Sequence, residues 1–552
     1  MKLKYMIYMV AALSLTSCND AFLERSPQSL NDQTFWTSVN DLKTYANGFY
    51  GLLPGGVSNL DDTNSDTQVP NNINTFLWGQ YVVPVEGGVW SKDNWSNIRK
   101  LNYFMTHYQS VQGTEADINK YVGEIRFFRA LEYFNKIKVL GDVPWLDIDL
   151  NVDSEELYGA KMARNGIAKK IIEDLDFAIQ WLPAAGSEED NRLNKDIARH
   201  IKARVCLNEG TYYKYHSELN YSGEVDGLLQ QAVEASDALI KSGRYEIYST
   251  GHPESDYHDL FIMADKSNLK EAILYIDYAE NKRMHNMSHG SEEASAGFSK
   301  DFVDCILYED GLPKALTSQP TTDNTIKEET AGRDLRFSQL IKNDAYLTAE
   351  DMAKENYDDA YVDNFHLTGY HTIKGFNPNL ETSGYYVEYS DGIAYRYAET
   401  LLINAEAKAE LGILTQADLD KTVNVLRDRV AMKHLTVEVG FTDPNWPDYG
   451  YSLSPVLQEI RRERRVELAG EGFRFDDICR WKAGRLLNNV QTYVGKKLST
   501  GKQAIVYPNY TNEDLSYQAG KSRTWEDKMY LYPIPTGELQ RNPQLLPQNP
   551  GW

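Results

Sequence analysis

The chain has 552 residues, of which 42% are hydrophobic and 25% charged, and its formal net charge is −23. Glycine and proline make up only about a tenth of it, which excludes collagen-like and long low-complexity architectures. So acidic a chain is a poor partner for a nucleic-acid duplex, and no nucleic acid is expected among its partners. Tyrosine is abundant, 37 residues against 18 Phe and 10 Trp. Most of that excess is assigned to helix seams and the rest to surfaces that meet polar ligands.

At the N-terminus Lys2 and Lys4 precede an apolar stretch, residues 6–15, too short to span a bilayer of about 30 Å. The sequence Leu15-Thr16-Ser17-Cys18 resembles a bacterial lipobox. Cleavage before Cys18 would remove residues 1–17 as a lipoprotein signal peptide, and the Cys18 sulfur would carry the lipid. One acyl chain anchors marginally, two or three stably. Residues 18–30 then read as an acylated tether, and the mature chain carries about −25 once Lys2 and Lys4 are gone. No other apolar run approaches 18 residues. The remaining cysteines, 206, 305 and 479, are too few for a disulfide scaffold, and Cys206 and Cys479 read as buried thiols.

From residue 31 the pattern is helical to about 53, with Asn31 or Asp32 as cap and Gly51 and Pro54 at the end. Residues 54–93 are rich in turns yet carry Trp78, Tyr81 and Trp90, so a functional loop is expected. Helices follow at 94–109, 121–140, 167–182, 195–213 and 227–242. The second has Ile125, Phe128, Leu131 and Phe134 on one stripe and stops at Gly141-Asp142-Val143-Pro144. Residues 246–390 change texture, with short β-prone runs at 272–276 and 385–389 among many turn residues. Helices return at 395–411, 418–430 and 455–469, and the last 55 residues are rich in loops. Alanines 198, 203, 398, 405 and 409 at close-packing positions suggest paired helices like those of tetratricopeptide repeats, without a clean 34-residue period.

Motifs for catalysis are absent. There is no Walker A, Gly-x-Gly-x-x-Gly, His-Glu-x-x-His, CxxC or Gly-x-Ser-x-Gly, and no cofactor is expected. Asp62-x-Asn64-x-Asp66 has the first three spacings of a calcium loop. Thr67 stands where Gly belongs and Ile73 where the bidentate Glu belongs, so these three residues are a weak calcium candidate and a solvated turn is favoured. Asp149-x-Asn151-x-Asp153 fails in the same way. The charged segment 459–481 reads as scaffold, with Glu459–Arg462 and Arg464–Glu467 paired one turn apart and Asp476, Asp477 and Arg480 locking the following turn.

Four blocks carry a resemblance to the SusD/RagB family. They are 18–53 (with Phe35-Trp36 and Asn47-Gly48-Phe49-Tyr50), 123–144 (GEIRFFRALEYFNKIKVLGDVP), 395–411 continuing to Asn424 and Arg427, and 463–481 continuing to Tyr532-Pro533-Ile534-Pro535 and Trp552. In order they span nearly the whole chain. The resemblance implies an all-α-dominated fold, a platform of eight helices in tetratricopeptide-like pairs with loop-rich insertions and minor β elements. It also implies a lipid-anchored outer-membrane protein facing outside, which binds an oligosaccharide and hands it to a SusC-like TonB-dependent transporter, and which is not an enzyme. On this reading 31–552 is one body, with 54–93 and 246–390 as ligand-facing insertions and 391–552 as C-terminal helices and scaffold loops.

The resemblance assigns no ligand residues by motif, so the candidates come from the loops. Sugars offer CH faces to aromatic rings and hydroxyls to Asn, Asp and Arg. The first loop offers Asn74, Trp78, Tyr81 and Trp90, with Trp78 and Trp90 as the stacking faces. Residues 278–290 with 370–386 offer Tyr278, Asn281, Arg283, His285, Tyr370, Asn377 and Tyr385. Trp95 is left out, because it opens a helix and is expected to pack inward. The alternatives are the same fold binding a peptide or other polymer, and a surface glycosidase.

Overall fold

A computed structural model describes residues 35–552 apart from 73, 152, 188–190, 381–385 and 506–522. Cys18, the signal segment, the tether and Tyr385 therefore lie outside the described residues. Helix accounts for 49% of the structure. Eight helices among the described residues are nine residues or longer: α1 (Val39–Asn47), α2 (Lys92–His107), α3 (Glu115–Leu140), α4 (Arg164–Trp181), α5 (Lys195–Tyr215), α6 (Val225–Ser242), α7 (Tyr397–Glu410) and α8 (Pro455–Glu467). Consecutive members pack side by side from α2 to α8, and α1 leans on α3.

Local chemistry sets the helix ends. The Thr114 hydroxyl accepts from the Asp117 amide at the start of α3, and Gly141 ends it at φ +72°. Asn194 caps α5 through the amides of Asp196 and Ile197, Gly243 closes α6 in the left-handed region, and Ser454-Pro455 opens α8. Helix α3 is buried on nearly every side, with Ile125, Phe128 and Phe134 in the core beside its own Glu124 and Arg129. Those two charges are tolerated because each is met by two-pronged pairing. Arg192 holds Glu124 at 2.7 and 2.8 Å, and Arg129 holds Asp174 at 2.7 and 2.8 Å. Ala198, Ala203, Ala398 and Ala405 are fully buried, as close helix packing requires. Cys206 is a buried free thiol, pushed up to about 12 by that burial.

Many of the other described residues pack around two smaller apolar clusters. Among the described residues there are three two-stranded antiparallel sheets: two join distant segments, β1 (Gln68–Pro70) with β3 (Ala296–Phe298) and β2 (Ala272–Ile276) with β4 (Gly392–Arg396), and the third is a local hairpin, β5 (Val494–Lys497) with β6 (Gln503–Ile505). In the second, Ala272 faces Arg396 and Ile276 faces Gly392, with an irregular register between. Strand β4 runs straight into α7, so Tyr395 and Arg396, expected as helix, are strand. The expected helix over 418–430 is divided by Thr422 into Gln416–Lys421 and Val423–Arg429. The expected strand over 385–389 is reduced to one bridge, His285 to Glu388.

The seam between platform and loops is ionic. Glu467 at the end of α8 accepts from Arg429 at 2.6 and 2.7 Å, Arg396 at 2.7 Å and Arg336 at 2.9 Å, all four side chains buried. Only part of the expected pairing within 459–481 forms. Glu459 and Arg462 do meet at 3.4 Å, and Asp477 and Arg480 at 2.9 Å. Arg464, however, reaches Asp477 at 2.8 Å rather than Glu467, and Asp476 takes Lys138 of α3. A helix covered on all sides finds its charge partners on the elements that cover it.

Candidate functional site

The first loop turns out to be packed rather than open. Trp78 is 5% exposed and sits edge-on to Tyr493 at 5.4 Å. A ring so enclosed offers no face to a sugar, so the expectation that it stacks on ligand is corrected. Its neighbour Phe76 stacks on Tyr532 at 4.1 Å, and Tyr81 stands edge-on to Phe76, Tyr532 and Trp552. The loop is thereby pinned to the C-terminal segment. Asn74 spends its carbonyl on the amides of Phe76 and Leu77, an Asx turn. Trp90 is half-buried against Trp95 at 5.1 Å, and the Lys136 ammonium lies 4.7 Å from the Trp95 ring centre.

The calcium spacing is also used internally. The Asp62 carboxylate accepts from the amides of Gly470 (2.7 Å) and Arg474 (3.1 Å), and burial pushes its carboxyl up to about 7. Asp66 is held by both prongs of Arg474 at 2.7 and 2.8 Å, while Asn64 is half-buried. The two carboxylates clamp the turn after α8 and are not free to ligate an ion. One other group of possible metal ligands occurs among the described residues, Asp363, His366 and His371. Its imidazoles stack face to face, 3.4 Å apart and 15° from parallel. A metal ion lies in the plane of each imidazole that binds it, so two stacked rings cannot share one here.

The second set of candidates divides. Tyr370 is fully buried, its hydroxyl donating to Glu329 at 2.8 Å, so it belongs to the core and not to a ligand face. His285 is also buried; burial lowers its pKa, and its ring reaches the Ser390 carbonyl at 3.0 Å. Tyr278 is buried too, its hydroxyl 3.3 Å from the Gly55 carbonyl, and the Arg283 guanidinium lies over its ring at 4.6 Å. Asn377 is half-buried and spends its side-chain oxygen on the Asn379 amide. Asn281 and Arg283 are exposed, on a tight turn closed by Ala279 and Arg283 with Asn281 at φ +60°.

What these segments build is a strap, 278–291 laid against 386–391. The His285 amide donates to the Glu388 carbonyl at 2.8 Å, and the Ser288 hydroxyl donates to the Glu388 carboxylate at 2.7 Å. Asp391 receives the amides of Tyr278 (3.0 Å) and Lys266 (2.9 Å). Lys266, beneath, is lowered to about 8 by burial and donates to the Met263 carbonyl at 2.6 Å. On this hydrogen-bonded base two rings stand open, Tyr386 at 63% exposure and Tyr389 at 47%, and the exposed turn Asn281-Lys282-Arg283 ends two residues before the His285–Glu388 bridge. Tyr386 has φ +55°, a conformation aromatic residues rarely hold, and its amide is tied to the Asn286 side chain. Neither tyrosine was among the expected ligand residues. Their signal was the run Tyr385 to Tyr389, which reads as a short β-prone run. The positive φ at Tyr386 interrupts the extended backbone, and 386 and 389 lie outward with Glu388 inward.

Open aromatic faces near amide, ammonium and guanidinium donors are chemically suited to stacking on and hydrogen-bonding a polar polymer. No helix among the described residues is long and apolar enough to cross a membrane.

Comparison with known proteins places this fold. The chain is 25% identical to SusD-like protein P2 of Formosa agariphila, with both chains covered in full. A crystal structure of a SusD-like protein from Bacteroides fragilis superposes with a TM-score of 0.71, at 24% identity over 95% of this chain and 99% of that one. A second from the same species, described as a SusD-like carbohydrate-binding protein, gives 0.68 at 20% identity over 93% of this chain and 100% of that one. The model of the SusD family matches residues 177–552. The chain therefore belongs to the SusD family, and its helix-paired platform is the fold of that family.

Proposed function

We propose that this protein is a cell-surface lipoprotein that captures a glycan on the strap 278–291/386–391 and delivers it to a partner TonB-dependent transporter. The observation that carries the reading is the pair of open rings, Tyr386 and Tyr389, on a backbone held from below by Asp391, Glu388 and Lys266. A backbone held before binding leaves only the side-chain rotamers to be ordered when a sugar arrives. Asn281, Lys282 and Arg283 supply hydrogen bonds to hydroxyls at the edge. A similar protein described as carbohydrate-binding supports the ligand class. Cys18 is the lipid attachment point, with 1–17 as the signal peptide, 18–30 as the tether and 31–552 as the body. The protein works as a binder and not as an enzyme.

The test is a binding screen of the chain lacking residues 1–18 against a panel of polysaccharides, with unstructured polypeptides as the comparison set. The expected result is saturable binding to at least one polysaccharide, weakened when Tyr386 and Tyr389 are both changed to Ala. Binding of polypeptide alone would replace the sugar reading with the peptide one. Polysaccharide binding untouched by the double change would move the site off the strap.

A further inference from the structure

One imidazole joins the two limbs of the strap. His285 is buried, and both of its ring nitrogens are engaged. Nε2 lies 3.0 Å from the Ser390 carbonyl on the opposite limb. A carbonyl can only accept, so the ring proton sits on Nε2. Nδ1 accepts from the Met287 amide at 3.2 Å and therefore carries no proton. The ring is fixed as the neutral Nε2–H tautomer by the hydrogen bonds it makes. Backbone pairing runs beside it: the His285 amide donates to the Glu388 carbonyl at 2.8 Å, and the Glu388 amide donates back at 3.3 Å. Between His285 and Met287 stands Asn286, whose side chain holds the amide of Tyr386. The turn that the imidazole shapes thus also sets the backbone under one of the two open rings.

A second proton on this ring would have no acceptor. An imidazolium donates from both nitrogens, and its Nδ1–H would meet the N–H of Met287. The charged neighbours do not make good the loss. On the facing limb the Glu388 carboxylate is spent on the Ser288 amide at 2.5 Å and hydroxyl at 2.7 Å, and Asp391 on the amides of Tyr278 and Lys266. Beneath lies Lys266, a cation whose ammonium donates to the carbonyls of Asp391 and Met263. On its own limb the imidazole meets Tyr278 edge-on at 5.0 Å, and the Arg283 guanidinium lies over that tyrosine. Burial, helped by the charge of Lys266, holds His285 below the usual imidazole range against the opposing pull of Glu388 and the Ser390 carbonyl.

We propose that His285 is an acid-released latch: the strap is closed around the neutral ring, and protonation of Nδ1 opens it and lets the glycan go. The release of glycan rests on the strap being the ligand site; the latch itself does not. The sign follows from the tautomer. The closed strap binds fewer protons at His285 than an opened one, in which the ring titrates near its ordinary value of about 6.5. The closed form therefore keeps its full advantage above about pH 6.5 and loses up to about tenfold against the open form for each pH unit below it. Lys266, at about 8, titrates above that window.

Hydrogen exchange of the ligand-free chain at pH 7.0 and 5.5, corrected for the intrinsic pH dependence of exchange, tests the latch. Peptides from 285–291 and 386–391 report the strap, and peptides from α3 report the platform. The expected result is strap protection lower by about threefold or more at pH 5.5, with α3 unchanged. In His285→Gln the difference between the two pH values should vanish, because a glutamine amide can donate to Ser390 and accept from Met287 at either pH. Should that variant fail to fold, the ¹⁵N shifts of the wild-type imidazole decide the tautomer: Nε2–H is expected at pH 7.0. Strap protection that ignores pH, a loss shared by α3, a loss that persists in His285→Gln, or an Nδ1–H tautomer would overturn the latch. Release is read by calorimetry at the same two pH values with the polysaccharide found in the screen. Weaker binding at pH 5.5 is expected in wild type and not in His285→Gln, and equal wild-type affinities would overturn release. A chain that binds no polysaccharide at either pH would refute the site reading and the release with it, while the exchange result would still decide the latch.

Discussion

Replacing Tyr386 and Tyr389 by alanine should separate binding from folding. Both rings project into solvent, 63% and 47% exposed, so their loss removes few contacts and should change stability by no more than about 0.5 kcal/mol each. A sugar stacked on such a ring covers the area that solvent now sees. By analogy with other aromatic platforms each ring is worth about 1–3 kcal/mol of binding, or about fivefold to 150-fold in affinity. Trp78 is the opposite case. At 5% exposure and packed on Tyr493, its truncation should cost about 3–5 kcal/mol of stability and leave the affinity of the folded fraction unchanged. The assay is calorimetry with the polysaccharide found in the screen, paired with thermal melts of the same samples. Tyrosine variants that bind like wild type, together with a Trp78→Ala protein that melts like wild type and binds weakly, would refute the reasoning on both counts.

Glu467→Gln should destabilise by about 3–5 kcal/mol at pH 7, since it leaves three buried guanidiniums short of a partner. Burial alone would raise the Glu467 carboxyl, but Arg429, Arg396 and Arg336 hold it below the usual carboxylate range. The wild-type advantage should therefore be complete above about pH 4.5 and fade as pH falls below it, which melting curves from pH 7 to 3 would show; an advantage that grows on acidification would contradict the charge reading. Phe128→Ala should cost about 3–5 kcal/mol by chemical denaturation, because Phe128 is fully buried against Phe49, Tyr50 and Phe127. Cys18→Ala should abolish incorporation of a fatty-acid analogue in cells; equal label in wild type and variant would remove the lipid anchor from the proposal. Wild-type protein drawn from native outer membranes in mild detergent should bring a TonB-dependent transporter with it, and its consistent absence would remove delivery from the proposed role.

The helical platform was legible in the sequence because its information is local. The stop at Gly141 and the stripe from Ile125 to Phe134 act within a few residues of one another, whereas the Thr114 cap starts α3 at Glu115, six residues before the expected 121. The alanines that let helices close up are equally local signals, so paired helices and their approximate limits followed from the chain itself. What tertiary structure alone decided was the direction in which aromatic and charged side chains face. Trp78 and Tyr370 stand in turn-rich stretches with the composition of open loops, yet they are buried by partners more than 400 and about 40 residues away, Tyr493 and Glu329. Asp62, Asn64 and Asp66 have a ligand spacing, but two of them are spent on Gly470 and Arg474 across the fold. Tyr386 and Tyr389 read as strand until one residue at positive φ turned them outward. A loop carries no period from which its buried side could be inferred. Its orientation is set by whichever distant surface it lands on, and that is fixed only when the whole chain has folded.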